Sequence, residues 1–309
     1  MPRGGILDDH FFVIGGRKGA TKVYSDTWRS PDGANWERMS QRTGWGRRCY
    51  PEVDIIDGSL ILTGGQGLRR FYNDVWRSTD QGRTWDQVCA DAPWEPRAGH
   101  HTLTLDGEIL LFSGGRNSFD RTFYPELWVS NDLGRTWTLR AELPRDMGRA
   151  GMQVVQVDGA LYFMGGDHDK PVFQANWDGR RNDVWKSVDR GETWELLGHA
   201  PWSPRTGHQS VAHAGRVICI GGHAKGDHPK RQVLMHDMWL WDPSTGIDGW
   251  ELVSENVWGC EDDPSRDGKS DFMLKVHDGR LWTLGGDREV MSPWPQDNDV
   301  WSAVLPEVW

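Results

Sequence analysis

The sequence lacks the features that mark several common protein classes. No apolar run approaches the roughly 20 residues that a membrane-spanning helix needs, and the first ten residues contain no apolar segment typical of a signal peptide. No helical periodicity extends over twelve residues. Positive charge is in the minority, and the net charge of −10 argues against non-specific binding of nucleic acid. We therefore expect an all-β protein with no membrane or nucleic-acid partner, either cytoplasmic or a mature form whose leader has been removed.

Cysteine and tyrosine are also scarce. The four cysteines, Cys49, Cys89, Cys219 and Cys260, show no metal-binding spacing, and Cys219 lies in an apolar run where we expect a buried thiol. We therefore predict no metal and no cofactor. Tryptophan and glycine are abundant instead, with 20 and 38 copies in 309 residues, which favours wide sheets joined by tight turns.

A short motif recurs along the chain, and its clearest copy is residues 73–85. Six copies place an acidic residue two positions before a tryptophan: Asp26/Trp28, Asp74/Trp76, Glu126/Trp128, Asp183/Trp185, Asp237/Trp239 and Asp299/Trp301. Three copies continue as Ser-x-Asp-x-Gly-x-Thr-Trp, at 78–85, 130–137 and 187–194. An Asp that bonds its own turn and a Gly that accepts positive φ predict a tight hairpin. We expect Asp80, Asp132 and Asp189 to accept backbone hydrogen bonds there, and Trp76, Trp128 and Trp185 to be largely buried between repeats.

An apolar run ending in Gly-Gly precedes each copy of the motif. The pairs are 15–16, 64–65, 114–115, 165–166, 221–222 and 285–286, with spacings of 49, 50, 51, 56 and 64 residues. A repeat of about fifty residues is typical of a propeller blade. We predict one domain over residues 1–309, with blades at about 1–40, 41–90, 91–141, 142–198, 199–254 and 255–309. Each has four antiparallel strands, a to d; in the second blade they are 50–56, 60–63, 74–78 and 85–89.

Two segments, Pro96–His100 and Pro204–His208, read Pro-Arg-Ala/Thr-Gly-His. With the Gly-Gly pairs and the strand-c tryptophans, they resemble kelch repeats, and the Ser-x-Asp turns resemble the Asp-box of sialidases. The kelch resemblance implies a six-bladed β-propeller with strand a innermost. The family includes galactose oxidases, sialic-acid epimerases and protein-binding adaptors, so the resemblance fixes the fold and leaves the function open.

In such a meander the a–b and c–d turns lie on one side of the sheets, and the longer b–c and d–a loops lie on the other. We expect the site on the long-loop side. A cation begins strand a in five repeats: Arg48, Arg97, Arg149, Arg205 and Lys269. Kelch relatives that bind acidic peptides use arginines at this position, and converging guanidinium groups suit capture of a carboxylate or sulfate. The alternative is a structural residue that pairs with a neighbouring blade.

The residue after each Gly-Gly pair should face the same opening. In order these residues are Arg17, Gln66, Arg116, Asp167, His223 and Asp287. Asp167, His168, His223 and Asp287 are candidate general acids and bases; the alternatives are metal ligands or solvated loop residues. His100, His208, Arg17 and Arg116 are further ligand-binding candidates. Among the loop tryptophans, Trp177 and Trp294 are candidates for stacking on a sugar, whereas Trp94 and Trp202 repeat and are expected to pack their loops.

Three enzyme classes can be compared with these residues. A copper-radical oxidase needs two tyrosines with a cross-linked cysteine, and the five tyrosines are scattered. A sialidase needs a Tyr/Glu nucleophile pair that is not evident. A kelch-type sugar epimerase or mutarotase needs only a carboxylate-binding opening and an acid/base pair. We therefore expect a monomer that binds an acidic small ligand, such as a sugar acid, and either isomerises it or acts as a non-catalytic module that binds an acidic peptide of a partner protein.

Overall fold

The computed structural model describes residues 3–18, 22–116, 122–168, 179–226, 232–259, 268–287 and 297–306. These residues form two compact units that divide after Glu142. Each unit is described by itself. No α-helix occurs in the described ranges, and the only helical turns there are two short 3-10 turns, Arg145–Met147 and Pro243–Thr245.

The first unit contains three four-stranded antiparallel sheets. Its strands are β1 (Ile6–Leu7), β2 (His10–Ile14), β3 (Arg17–Lys18), β4 (Lys22–Val23), β5 (Thr27–Ser30), β6 (Glu37–Ser40), β7 (Glu52–Ile56), β8 (Ser59–Thr63), β9 (Val75–Ser78), β10 (Asp86–Cys89), β11 (His101–Leu105), β12 (Glu108–Phe112), β13 (Glu126–Ser130) and β14 (Thr138–Glu142). The sheets are β1-β2-β5-β6, β7-β8-β9-β10 and β11-β12-β13-β14, and β3 pairs with β4 in a small hairpin.

The second unit contains two four-stranded main sheets and one three-stranded main sheet. Its strands are β15 (Arg149–Ala150), β16 (Gln153–Val157), β17 (Ala160–Met164), β18 (Asp167–His168), β19 (Asp183–Ser187), β20 (Glu195–His199), β21 (Arg205–Thr206), β22 (Gln209–His213), β23 (Arg216–Ile220), β24 (His223–Lys225), β25 (Gln232–Leu234), β26 (Met238–Trp241), β27 (Trp250–Ser254), β28 (Met273–His277), β29 (Arg280–Gly286) and β30 (Asp297–Val304). The main sheets are β16-β17-β19-β20, β22-β23-β26-β27 and β28-β29-β30.

Each main sheet is an up-and-down meander, as the repeat predicts, and the fold is that of an all-β kelch β-propeller. In the second repeat the four predicted strands are confirmed within two residues at each end. In five of the six Gly-Gly pairs both glycines have positive φ, for example 62° at Gly165 and 93° at Gly166. A Cβ added to Gly166 would lie 2.8 Å from the Met152 side chain. Glycine is therefore required at the second of these two positions, where strand b leaves the sheet.

The core lies between consecutive sheets. In the first unit, Ile61 and Val75 of the second repeat pack with Trp94, Ile109 and Trp137 of the loop and sheet that follow. Because each sheet buries one face against the next, its inward side chains are apolar and its turns carry the polar residues. The loop tryptophans Trp94 and Trp202 are 1% exposed, which confirms that they pack their loops.

The Ser-x-Asp turns are structural, as predicted. Asp132 accepts a hydrogen bond from the backbone N–H of Thr136 at 2.9 Å, and the Ser130 hydroxyl accepts one from the N–H of Gly134 at 2.9 Å. Asp80 and Asp189 accept the equivalent backbone N–H bonds in their own turns. Each carboxylate thus accepts hydrogen bonds within its own turn and stabilises that turn.

The strand-c tryptophans pack at the edge of the core. Trp76, Trp128 and Trp185 are half-buried, and Trp76 and Trp128 pack against core clusters of their unit. Each indole N–H donates to the acidic residue two positions earlier, as Trp76 does to Asp74 at 2.8 Å. A residue two positions along a strand lies on the same face, so the indole covers its own carboxylate from one side and keeps an edge in solvent.

Candidate functional site

The repeat cations do not face an open cavity, and that prediction is corrected. Arg48, Arg97, Arg149, Arg205 and Lys269 are all 0% exposed. Each pairs with the acidic residue of strand c in its own repeat: Arg48–Asp74, Arg97–Glu126, Arg149–Asp183, Arg205–Asp237 and Lys269–Asp299. A buried guanidinium needs a carboxylate and further acceptors, and each of the four arginines also donates to a backbone carbonyl.

The Arg205 side chain shows the arrangement in full. Its Nη1 and Nη2 donate to the two oxygens of Asp237 at 2.6 and 2.8 Å, and Nη1 also donates to the Gly221 carbonyl at 3.0 Å. Trp239 donates to the same carboxylate at 2.8 Å. Burial raises the pKa of Asp237, but the hydrogen bond and charge of Arg205 outweigh it, so the pKa lies below its ordinary value. The motif is therefore a structural clamp between strands a and c.

The long-loop side of each unit is built as a hydrogen-bonded ribbon. After each Gly-Gly pair the chain pairs with the residues that follow the buried cation: Cys49 with Gln66, Ala98 with Gly115, Ala150 with Asp167, Thr206 with His223 and Ser270 with Asp287. The b–c loop then returns and joins the cation of the next repeat, as Tyr72 does to Arg97 and Arg181 to Arg205. Short strands of successive repeats thus lie side by side.

This register corrects the position assigned to Arg116. In the third repeat, Ser113 has a φ of 54° and occupies the place of the first glycine, so Gly115 lies opposite Ala98 where the other repeats have Gln66 or Asp167. Arg97 Nη1 donates to the Ser113 carbonyl, just as Arg48 donates to Gly64. Arg116 is therefore one position farther along its hairpin than Arg17 is.

In the first unit the ribbon is basic. We call "the basic ribbon" the segments 16–18, 22–24, 47–49, 65–72, 97–98, 114–116 and 122–124, which contain no Asp or Glu. Its exposed cations are Lys18, Lys22, Arg47, Arg69 and Arg70. None of these five forms a salt bridge with a residue that the structure describes. Although the protein has a net charge of −10, the basic ribbon is therefore a positively charged surface.

Tyrosine rings pack against four cations of the basic ribbon. The Arg70 guanidinium lies 4.3 Å from the centroid of Tyr72, and the buried Arg48 lies 3.8 Å from the same centroid. Lys22 lies 5.2 Å from the centroid of Tyr24. The half-buried Arg17 lies 5.3 Å from that of Tyr50. Cation–π contacts restrict the side chains without neutralising their charge, so the cations stay available to an anion.

The ribbon of the second unit is mixed in charge and contains the predicted acid and base. Asp167 lies opposite both Ala150 and Arg180, and His223 lies opposite Thr206. Arg180 is 5% exposed. Sequence reasoning missed Arg180, although it stands where other repeats have Val23, Phe71, Phe123 or Leu234.

The predicted catalytic residues have different surroundings. Burial, and then the charge of Arg180, lowers the pKa of His223 to about 3. The His168 Nδ1–H donates to the Gly148 carbonyl, 2.8 Å away, and the Nε2 of the same ring lies 3.6 Å from Asp146. Asp287 pairs through its backbone with Ser270. The structure thus brings Asp167 and His223 onto one ribbon without showing an acid/base pair in contact.

Two histidine predictions are corrected. His100 and His208 are 2% and 0% exposed and pack against Trp94 and Trp202, with centroid distances of 6.3 and 5.5 Å. Burial, followed by the charge of Arg97, holds the pKa of His100 well below its ordinary value. Each ring lies against the first glycine of the preceding Gly-Gly pair, Gly64 for His100 and Gly165 for His208, and is therefore an interior residue. Trp177 and Trp294 lie outside the described residues.

Within the described part of the chain, no helix has the length and apolarity needed to cross a membrane. No three His, Cys, Asp or Glu residues there are placed to share a metal ion.

Comparison with known proteins supports the repeat architecture. The chain is 23% identical over 215 residues to a sialidase of Paraclostridium sordellii, covering 59% of this chain and 52% of that protein. It is 24% identical over 217 residues to Adagio-like protein 3 of Oryza sativa subsp. japonica, covering 65% of this chain and 33% of that protein. The chain thus spans about half or a third of these relatives.

The solved structure titled "Structure of YjhT" superposes with a TM-score of 0.76 at 17% identity, over 99% of this chain and 95% of that chain. That likeness shows the fold. The "KLHDC2/KLHL20/DRC7 Kelch-repeats domain" family model matches residues 5–166, more than half of the 309 residues. The chain therefore belongs to the kelch-repeat family.

Proposed function

We propose that the protein is a kelch-type interaction module that binds an acidic segment of a partner protein on the basic ribbon of the first unit. The observation that carries this proposal is the set of five exposed cations on a ribbon without carboxylates. Bound anionic groups reduce the repulsion between neighbouring cations, and an acidic peptide supplies several such groups on one chain.

The spacing of the ribbon favours a peptide over a single sugar acid. The segment that contains Lys18 and the segment that contains Arg70 are four strand spacings apart. The segments that lie between them are 22–24, 47–49 and residue 66. Strands are about 4.8 Å apart, so the cations extend over roughly 19 Å. An extended peptide of about six residues covers that length at about 3.3 Å per residue. A monosaccharide would reach only one or two of the cations.

An isomerase acting through His223 has weaker support. General acid–base catalysis works best when the pKa of the group is near the working pH. The pKa of His223 is held at about 3 by burial and by Arg180, so the neutral ring is a weak base near pH 7 and has no proton to donate as an imidazolium. The roles of Asp167 and Asp287 stay predictions.

The proposal is tested with a fluorescein-labelled peptide that contains six consecutive glutamates, titrated with the full chain and followed by fluorescence anisotropy. The triple variant Lys22→Gln, Arg47→Gln, Arg70→Gln should bind more weakly by a factor between about 3 and about 160, since exposed ion pairs are worth roughly 0.2–1 kcal/mol each. Raising the salt concentration should weaken binding by the wild type.

The matched control is the double variant Arg83→Gln, Arg135→Gln. Both arginines are exposed and lie in the Ser-x-Asp turns, on the opposite side of their sheets from the ribbon. This variant should retain wild-type affinity. An equal loss in both variants would indicate a non-specific charge effect, and unchanged binding by the triple variant would exclude the basic ribbon as the site.

A further inference from the structure

The second unit contains a cavity on the side of its tight turns, away from the ribbon. Its volume is about 460 Å³, and its lining includes Asp158, Tyr162, Lys186, Val188, Pro243 and Ser244. It therefore lies between the fourth and fifth repeats, where the a–b turn of one faces the c–d turn of the other. The sequence pattern alone predicts only generic turns on this side.

The cavity arises because the fifth repeat lacks a Ser-x-Asp turn. In the first unit, the turn of the third repeat covers the sheet of the second: a Cβ built on Gly134 would lie 2.6 Å from Val75 and 3.4 Å from Ile61. In the fifth repeat a 3-10 turn, Pro243–Thr245, takes this place. Asp242 fixes that turn by accepting a hydrogen bond from the Ser244 N–H at 2.9 Å. The space above the fourth sheet is left open.

The floor of the cavity also departs from the repeat. Tyr162 occupies the strand-b position that Ile61 has in the second repeat. Its ring is 4% exposed and meets Trp241 edge to face, with centroids 5.0 Å apart. Its hydroxyl forms no hydrogen bond with any residue that the structure describes. Burial, and then the charge of Asp158, raises the pKa of Tyr162, so the hydroxyl keeps its proton near neutral pH.

A balanced set of polar groups surrounds this ring. Lys186 lies directly opposite Tyr162 in the sheet, with Nζ 6.0 Å from the ring centroid. Lys186 forms no salt bridge within the described ranges. Asp158 supplies a carboxylate and Ser244 a hydroxyl, while Val188 and Pro243 supply apolar walls. One positive and one negative group leave the cavity without net charge.

We propose that this cavity binds one neutral sugar or polyol ring. Such a ligand offers hydroxyls that both donate and accept, as Tyr162, Asp158 and Lys186 require, and it has apolar C–H faces for the walls. The volume is within the range of small-ligand sites and too small for a folded partner. The site lies in a different unit from the basic ribbon, so it does not depend on the proposed function.

The test is saturation-transfer NMR and titration calorimetry on the full chain with D-glucose, D-galactose, D-mannose and D-xylose, and with glycine and glucuronate as charged comparators. At least one neutral sugar should bind. Tyr162→Phe and Lys186→Met should each weaken it about three- to tenfold, the value of one lost hydrogen bond. Lys225→Met, an exposed cation on the other side of the unit, should leave the affinity unchanged.

Tyr162→Phe removes a hydroxyl that bonds to none of the described residues, so the variant should fold as the wild type does. Absence of binding by all four sugars, equal affinity in both cavity variants and the wild type, or preference for glycine or glucuronate would each overturn the proposal.

Discussion

The clamp between Arg205 and Asp237 allows a quantitative test of the buried-cation arrangement. We consider Asp237→Asn, which keeps the shape of the side chain and removes its charge. The Arg205 guanidinium is 0% exposed and would lose its charged partner and one of its two hydrogen bonds to residue 237, at 2.6 and 2.8 Å, because an asparagine side chain has a single acceptor oxygen. Its bond to the Gly221 carbonyl at 3.0 Å would remain, but it cannot compensate for an unpaired charge.

The expected cost is about 3–5 kcal/mol in the free energy of unfolding, which is typical when one partner of a buried ion pair is removed. Chemical denaturation followed by tryptophan fluorescence measures it. The pH dependence supplies a second check. The pKa of Asp237 is lowered in the folded state, so the clamp contributes stability above pH about 4, and this contribution is lost as the pH falls through the folded pKa. The difference in the free energy of unfolding between the wild type and Asp237→Asn should therefore become smaller below pH about 4.

Asp26→Asn is the matched control. Asp26 opens the same motif and accepts the Trp28 indole N–H at 2.9 Å, but no cation in the described ranges pairs with it. An asparagine oxygen can still accept that bond, so the cost should be under about 1 kcal/mol. If Asp237→Asn were no more destabilising than Asp26→Asn, the guanidinium would have to be hydrated, and the clamp would not be the reason that these arginines are buried.

Three further predictions follow from the fold. Asp132→Ala should lower the free energy of unfolding by about 1 kcal/mol and leave peptide binding intact, because its bonds stay within the turn; lost binding at unchanged stability would contradict this. Trp94→Ala should cost about 3–5 kcal/mol, whereas Trp301→Ala should cost far less, since these side chains are 1% and 40% exposed; equal costs in denaturation would contradict the placement of Trp94. The His223 ring should stay neutral down to pH about 3 in NMR titration, and an ordinary midpoint near 6.5 would show that it is solvated.

The sequence predicts the scaffold well because its signals are local. A Gly-Gly pair that needs positive φ and a Ser-x-Asp turn that satisfies its own backbone leave few alternatives for a repeat of about fifty residues. The error in the position of Arg116 also has a local cause. Ser113 adopts the φ of 54° that glycine supplies elsewhere, and a pattern search cannot see that replacement.

The site is harder to predict from the sequence because a residue that recurs in every repeat can serve either structure or function. The partner of Arg48 lies 26 residues away, and that of Arg149 lies 34 residues away, so spacing does not reveal the pairs. Yet the cation and the acid recur together, which is what a structural pair requires. Residues that depart from the repeat are better indicators of function. Arg180 replaces an apolar residue of the other repeats. Tyr162 lies beside the 3-10 turn Pro243–Thr245, which replaces a Ser-x-Asp turn.

The central claim is that an acidic segment lies on the basic ribbon of the first unit, and zero-length crosslinking tests it most directly. A carbodiimide joins peptide carboxylates to protein amines, and mass spectrometry identifies the amine. With the hexaglutamate peptide bound, the crosslinks should fall on Lys18 and Lys22, the two exposed ribbon lysines. Crosslinks concentrated on Lys186 or Lys225 of the second unit, with Lys18 and Lys22 unmodified, would contradict the claim.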